Sequence, residues 1–225
     1  VTNETPFYPE GGGQIGDTGE IISNSASVTV KNTFRDGEDI IHLVDNLPIE
    51  LGDTLLMKID KNRRLSIQRN HTSTHLLQFA LKKILGNHVE QRGSMLTEDI
   101  FRFDFSHQSK LSDNELSDVE KLVKSLIKDE IQCIEDKKAN YNDAVKAGAI
   151  GLFSEKYGDV VRTIKFGESY ELCGGTHVKN TREIEDFKII SEGSQAFGIR
   201  RIVATSNKTR IKEEELKNQA IKEKA

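Results

Sequence analysis

Two short histidine and cysteine patterns, in opposite halves of this chain, restrict what it can fold into more than any other feature. His71 and His75 are four positions apart, and so are Cys173 and His177, with Gly174 and Gly175 between them. On a helix of 3.6 residues per turn, the first spacing puts both imidazoles on one face. Thiolate and imidazole are preferred zinc donors, and the two glycines are expected to let the backbone bend so that Cys173 and His177 reach one ion. Taken singly, either pattern is readily a pair of packing histidines, or a buried cysteine beside an unrelated histidine. Taken together they supply four N/S ligands, the number and type for tetrahedral zinc, so one Zn2+ per chain is expected. Four protein ligands are the habit of a closed structural site, and spacing leaves open whether the metal also does chemistry. Position 72 is Thr, not Glu, so the H-E-x-x-H arrangement with its built-in general base is absent.

The surrounding sequence reads as β structure first and mixed structure afterwards. Alternation and β-branched content mark strands at Ser27 to Lys31, Asp39 to Val44 and Thr54 to Ile59. Turn signals at Asp36-Gly37, Asn46 to Pro48 and Gly52-Asp53 separate them, which suggests a small barrel or sandwich. A long helix is predicted from Lys61 to Leu85, ending at Gly86. Strands are expected at Val89 to Leu96 and Ile100 to Phe105. Ser112, with Glu115 as its capping-box partner, opens a helix expected to run through Leu116, Val119, Leu122, Ile127 and Ile131. A short helix at Tyr141 to Ala147 precedes strands at Val160 to Phe166, Phe187 to Ser191 and Ile199 to Thr205. The Glu- and Lys-rich tail from Lys208 to Ala225 reads as a solvated helix or the start of a coiled coil.

Composition narrows the class only a little. The 225 residues are 36% hydrophobic and 30% charged, and no apolar run approaches the length of a bilayer span. A net charge of −4 argues against wholesale coating of nucleic acid but leaves a local basic surface open. Cys133 and Cys173 make no disulfide framework, so a reducing, cytoplasmic setting is expected. No basic-then-apolar leader is evident, and the absence of an initial methionine suggests a piece of a longer chain. Gly11, Gly13 and Gly16 fit G-x-G-x-x-G by accident. Pro9 precedes them and the turn Asp17-Thr18-Gly19 follows, where a dinucleotide site needs a strand and then a helix. The glycine run with Gln14 and Asp17 suggests either backbone brought close to a ligand or a simple turn between strands.

Three motifs in this order resemble alanyl-tRNA synthetase, and more narrowly its editing domain. They are Pro6-Phe7-Tyr8-Pro9-Glu10-Gly11-Gly12-Gly13-Gln14, His71-Thr72-Ser73-Thr74-His75-Leu76-Leu77 and Cys173-Gly174-Gly175-Thr176-His177-Val178. Further likeness runs through Gln91-Arg92-Gly93-Ser94, Arg102 to His107, Gly148-Ala149, Glu155 to Asp159, Phe187 to Ile189 and Gly198 to Ile202. The resemblance implies an α+β fold: a β-barrel-like N-terminal lobe over 1–60 and an α/β zinc-containing editing lobe over 61–206. A charged helix over 207–225 would lead toward a C-terminal oligomerisation region and a possible homodimer. It implies deacylation of seryl-tRNA and glycyl-tRNA made for the alanine tRNA, with the rest of the synthetase and that tRNA as partners and no membrane. The metal ligands map onto His71, His75, Cys173 and His177, with Gln91 and Cys173 in the catalytic role. Thr5, Gly11, Gly12, Gly13, Gln14, Asp17 and Gln91 would form the substrate pocket. The helical motif usually continues with a third histidine, where this chain has Gln78. Candidate tRNA phosphate contacts are Arg63, Arg64, Arg69, Lys82, Lys83, Arg200 and Arg201, any of which is equally readable as part of a solvated face. No ATP-site motif is found, so aminoacylation is expected to lie elsewhere in a parent protein. A free-standing editing protein of the same superfamily and an inactive zinc-stabilised RNA-binding module are the competing expectations.

Overall fold

The computed structural model describes residue 2 and residues 4–24, 26–46, 54–151 and 157–222. Parts of the expected turns, at Pro48 and at Gly52-Asp53, lie outside the described residues, as do Glu155-Lys156 and the end of the tail.

Four short strands come first: β1 (Gly19–Ile22), β2 (Ser27–Asp36), β3 (Asp39–Val44) and β4 (Leu56–Ile59). They pair antiparallel in the order β3-β2-β1-β4, which leaves β3 and β4 as two edges. Among the described residues this is an open sheet, and of the small barrel or sandwich that the sequence suggested no closed barrel is present. Closure needs β3 and β4 to pair with each other, and instead β4 passes almost directly into a helix. Phe7, Ile21 and Val30 form a small core on this sheet.

Asp60 then caps α1 (Lys61–Leu85), its carboxylate accepting from the N–H groups of Asn62 and Arg63. β5 (Gln91–Leu96) and β6 (Phe101–Ser106) follow, and with the later β10 (Lys188–Ala196) and β11 (Ile199–Thr205) they form a second antiparallel sheet, β10-β11-β6-β5. Phe101, Phe103 and Phe105 alternate along β6 and all point into the core, as a period of two demands. α2 (Asp113–Lys128) opens with the expected capping box: Ser112 Oγ accepts from Glu115 N–H at 3.2 Å, and Glu115 Oε2 from Ser112 N–H at 2.8 Å. Its stripe of Val119, Val123 and Ile127 packs into one core with Leu76, Leu77 and Leu81 of α1. The helix stops before Ile131, because Glu130 takes a left-handed φ of 51°. A third sheet, β7-β8-β9, is built from β7 (Cys133–Asn140), β8 (Val160–Phe166) and β9 (Ser169–Leu172), with α3 (Tyr141–Lys146) beside it. A 3-10 turn at Thr181–Ile184 and the exposed α4 (Lys208–Lys222) complete an α+β chain. No described helix is long and apolar enough to cross a membrane.

Candidate metal centre

α1 presents His71 and His75 on its inner face, and β9 delivers Cys173 one residue past its end. The hairpin register sets that delivery: Thr163 of β8 faces Leu172, and Cys173 N–H donates to Arg162 C=O at 3.1 Å. The Arg162 side chain then grips the following turn. Its Nη1 donates to the carbonyls of Cys173 (2.8 Å) and Gly175 (2.6 Å), while Nε bonds Glu135. His71, His75, Cys173 and His177 thereby meet, with one ligand atom from each lying within 4.8 Å of all the others. Cys173 Sγ stands 3.4 Å from His71 Nε2 and 3.3 Å from His177 Nε2.

Each histidine is turned by a partner on its far side. His71 Nδ1 faces Gln14 Oε1 at 2.8 Å, and His177 Nδ1 faces Thr72 Oγ1 at 3.2 Å. His75 Nε2 lies 3.4 Å from Glu171 Oε2, which leaves its Nδ1 buried without a hydrogen-bond partner among the described residues. An imidazole nitrogen orphaned in this way, beside a thiol and two further imidazoles, is what a metal would satisfy. The donor chemistry agrees. Burial, helped by the Arg162 charge, pushes His71 down to about 3 and His177 and His75 well below their ordinary value, so all three are neutral and able to ligate. Burial pushes the Cys173 thiol up to about 12, against a backbone N–H from Gly175 that favours the thiolate. Glu171 is likewise pushed up to about 8 by burial, with Lys82 pulling the other way. The residues present therefore fit zinc.

The glycines serve the centre differently from expectation. Neither Gly174 nor Gly175 has a positive φ. A Cβ on Gly175 would overlap the His71 ring, whereas one on Gly174 would meet nothing within 4 Å among the described residues. Gly175 is needed for room, not for bending.

The centre opens into a cavity of about 790 Å³. Gly11, Gly12 and Gly13 line it from one side and Gln91 to Ser94 from another, with His71, Thr74, His75, Cys173 and Gly174 at the metal end. Gln91 Nε2 donates to Ser94 Oγ at 3.0 Å. Gly12 and Gly13 adopt positive φ of 59° and 86° and present backbone alone to the space. Arg35 and Arg92 also line it.

Other expected residues sit elsewhere. Gln14 is behind His71, and Asp17 is buried in an ion pair with Arg64 while accepting from Tyr8 N–H at 2.6 Å. Thr5 bonds His42 at 2.8 Å. Six of the seven cations expected at the tRNA are engaged within the chain: Arg63 with Glu98, Arg64 with Asp17, Arg69 with Glu185, Lys83 with Glu168, Arg200 with Glu192 and Arg201 with Asp104. Sequence reasoning missed the orienting roles of Thr72, Glu171 and Arg162. For Thr72 and Glu171 a signal existed, since each adjoins a ligand or sits two positions from one. For Arg162 none did, because only the hairpin register brings it to the turn.

Comparison with known proteins gives the family of the chain. Residues 161–203 match the second additional domain of threonyl and alanyl tRNA synthetases, and residues 1–63 match the class II (A) tRNA synthetases. The chain belongs to the alanyl-tRNA synthetase family, in the region that carries the second additional domain. It is 48% identical over 213 residues to the alanine–tRNA ligase of Christiangramia forsetii, covering 94% of this chain and 24% of that protein. The ligase of Flavobacterium psychrophilum is 47% identical over 91% of this chain and 24% of its own length, and that of Wolbachia pipientis wMel 46% over 94% and 24%. The chain thus spans about a quarter of the length of these relatives.

Proposed function

We propose that this chain hydrolyses seryl-tRNA, and glycyl-tRNA, wrongly made on the alanine tRNA, at a zinc ion held by His71, His75, Cys173 and His177. The supporting observation is the junction of two features: a buried four-donor cluster, and a cavity whose further lining includes glycine backbone and Gln91. The ester joining an amino acid to ribose is already activated, so its hydrolysis needs chiefly a positioned water and stabilised negative charge. When bound, zinc would supply a local positive charge that orients the substrate or polarises water. The chain's own groups do the rest. The N–H groups of Gly12 and Gly13 make no hydrogen bond among the described residues, and they are the donors available to a substrate hydroxyl or a developing oxyanion. Gln91, held by Ser94, offers its amide to the seryl hydroxyl. A site that hydrogen-bonds that hydroxyl separates serine from alanine, which a site sized for alanine alone does poorly. Lobes at 1–60 and 61–206, the helix at 207–225, the alanine tRNA and the rest of a parent synthetase as partners, a homodimer and a cytoplasmic setting belong to the same proposal.

The test is deacylation of seryl-tRNA against alanyl-tRNA, with zinc content recorded, for wild type and Cys173→Ala. Wild type is expected to clear the seryl ester selectively, and the variant to lose both zinc and at least about a hundredfold in rate. A wild type that binds zinc and tRNA yet hydrolyses neither ester would make this a binding module.

A further inference from the structure

Gln14 is completely buried. Its Oε1 accepts from His71 Nδ1–H at 2.8 Å and from Thr176 N–H at 2.9 Å, and its Nε2 donates to Thr176 Oγ1 at 3.0 Å. Both partners belong to the metal centre: one is a ligand, the other lies between the ligands Cys173 and His177. Gln14 itself belongs to the glycine-rich segment that precedes β1. That segment is laid on the outer edge of β5, where Leu96 N–H donates to Gly13 C=O at 2.8 Å and Ile15 N–H to Leu96 C=O at 3.3 Å. The segment is itself pinched by reciprocal backbone bonds between Gly11 and Gln14, both 3.0 Å. Gly13 can approach Ser94 this closely only because it lacks a Cβ.

An acceptor on Nδ1 keeps the proton there and leaves the His71 Nε2 lone pair facing Cys173 Sγ. His71 is therefore set for a metal only while residues 11–15 are seated on β5. The converse holds by linkage: whatever fixes His71 and Thr176 favours the seated segment by the same factor. We propose that Gln14 is a positioning residue of the metal centre, not a substrate contact, and that through it metal loading and seating of the glycine-rich segment form one coupled equilibrium. This rests on the zinc reading above. It makes the wall of the cavity, Gly11 to Gly13, depend on the ion at its floor.

The test uses the whole chain and zinc alone as probe, with affinity measured by competition against a chromophoric chelator. Gln14→Met keeps the bulk and loses the acceptor, and it is expected to weaken zinc binding about 10–100-fold. Gln14→Glu keeps the acceptor and is expected to stay within about threefold of wild type, a rescue that a filler of space would not give. Amide hydrogen exchange of wild type supplies an arm free of mutation. Removing zinc should speed exchange at Ile15 and Leu96 at least about tenfold more than in α2, and this excess should vanish in Gln14→Met. Equal zinc affinity in wild type and Gln14→Met, or exchange at Ile15 and Leu96 that follows α2 with and without zinc, overturns the proposal. Should Gln14→Met fail to fold by circular dichroism, Gln14→Glu and the wild-type exchange decide alone. A wild type that takes up no zinc at all removes the metal reading itself, and no variant is needed to see it.

Discussion

The first and second sheets are both four-stranded and antiparallel, yet they are held in place by different forces. β10-β11-β6-β5 lies in a large apolar core, where Phe101, Phe103, Phe105 and Phe187 meet the leucines of α1 and the valines of α2. Among the described residues, the apolar core of the sheet β3-β2-β1-β4 has only Phe7, Ile21 and Val30 buried. Its attachment to the rest is polar: Arg64 to Asp17, Arg63 Nη1 to Gly16 C=O at 2.7 Å, Asp60 N–H to Thr18 C=O at 2.8 Å, and Gln14 to His71. One sheet is held by burial and the other is positioned by hydrogen bonds and charge. The difference teaches that the cavity between them has one stiff wall and one wall whose place depends on a few named polar groups.

That contrast is open to attack at three levels. Phe103→Ala should be the most damaging, at about 3–5 kcal/mol in urea unfolding, because the cavity it leaves cannot close in a core this tightly packed. Equal losses for Phe103→Ala and Val30→Ala would sink the comparison. Asp17→Asn should cost about 3 kcal/mol in the seating of the first sheet, since it leaves the half-buried Arg64 guanidinium without its carboxylate. Limited proteolysis should then cut within residues 4–24 at denaturant concentrations where α2 remains protected. Protection of both regions in parallel would mean that the polar contacts are incidental. Ser112→Ala should cost only about 1 kcal/mol through the lost cap of α2, and it should leave the first sheet unmoved.

Much of the structure from α1 onward was legible in the sequence, since its signals are local. The bounds of α1 follow from Asp60 and Gly86, and those of α2 begin with a complete capping box. The four donors were legible as a set because two spacings had to agree. β7 was not, because Glu135, Asp136, Lys137 and Lys138 show no apolar alternation and the strand is held by backbone pairing with β8. Nor was the fate of the cations. Arg64 finds Asp17 and Arg201 finds Asp104 across long stretches of chain, so no local signal announces these ion pairs. The open first sheet escaped as well, since strand patterns give pairing partners only where turns are tight, as at Asp36-Gly37.

Metal sites of this kind are commonly described by the atoms they require. Gly175 adds an atom that must be missing, because the smallest side chain there would occupy the space of a ligand ring. The motif therefore carries a prohibition as well as four requirements. A spacing search that admits any residue between Cys173 and His177 will collect look-alikes, and this single vacancy is the cheapest way to separate them from sites that can close on an ion.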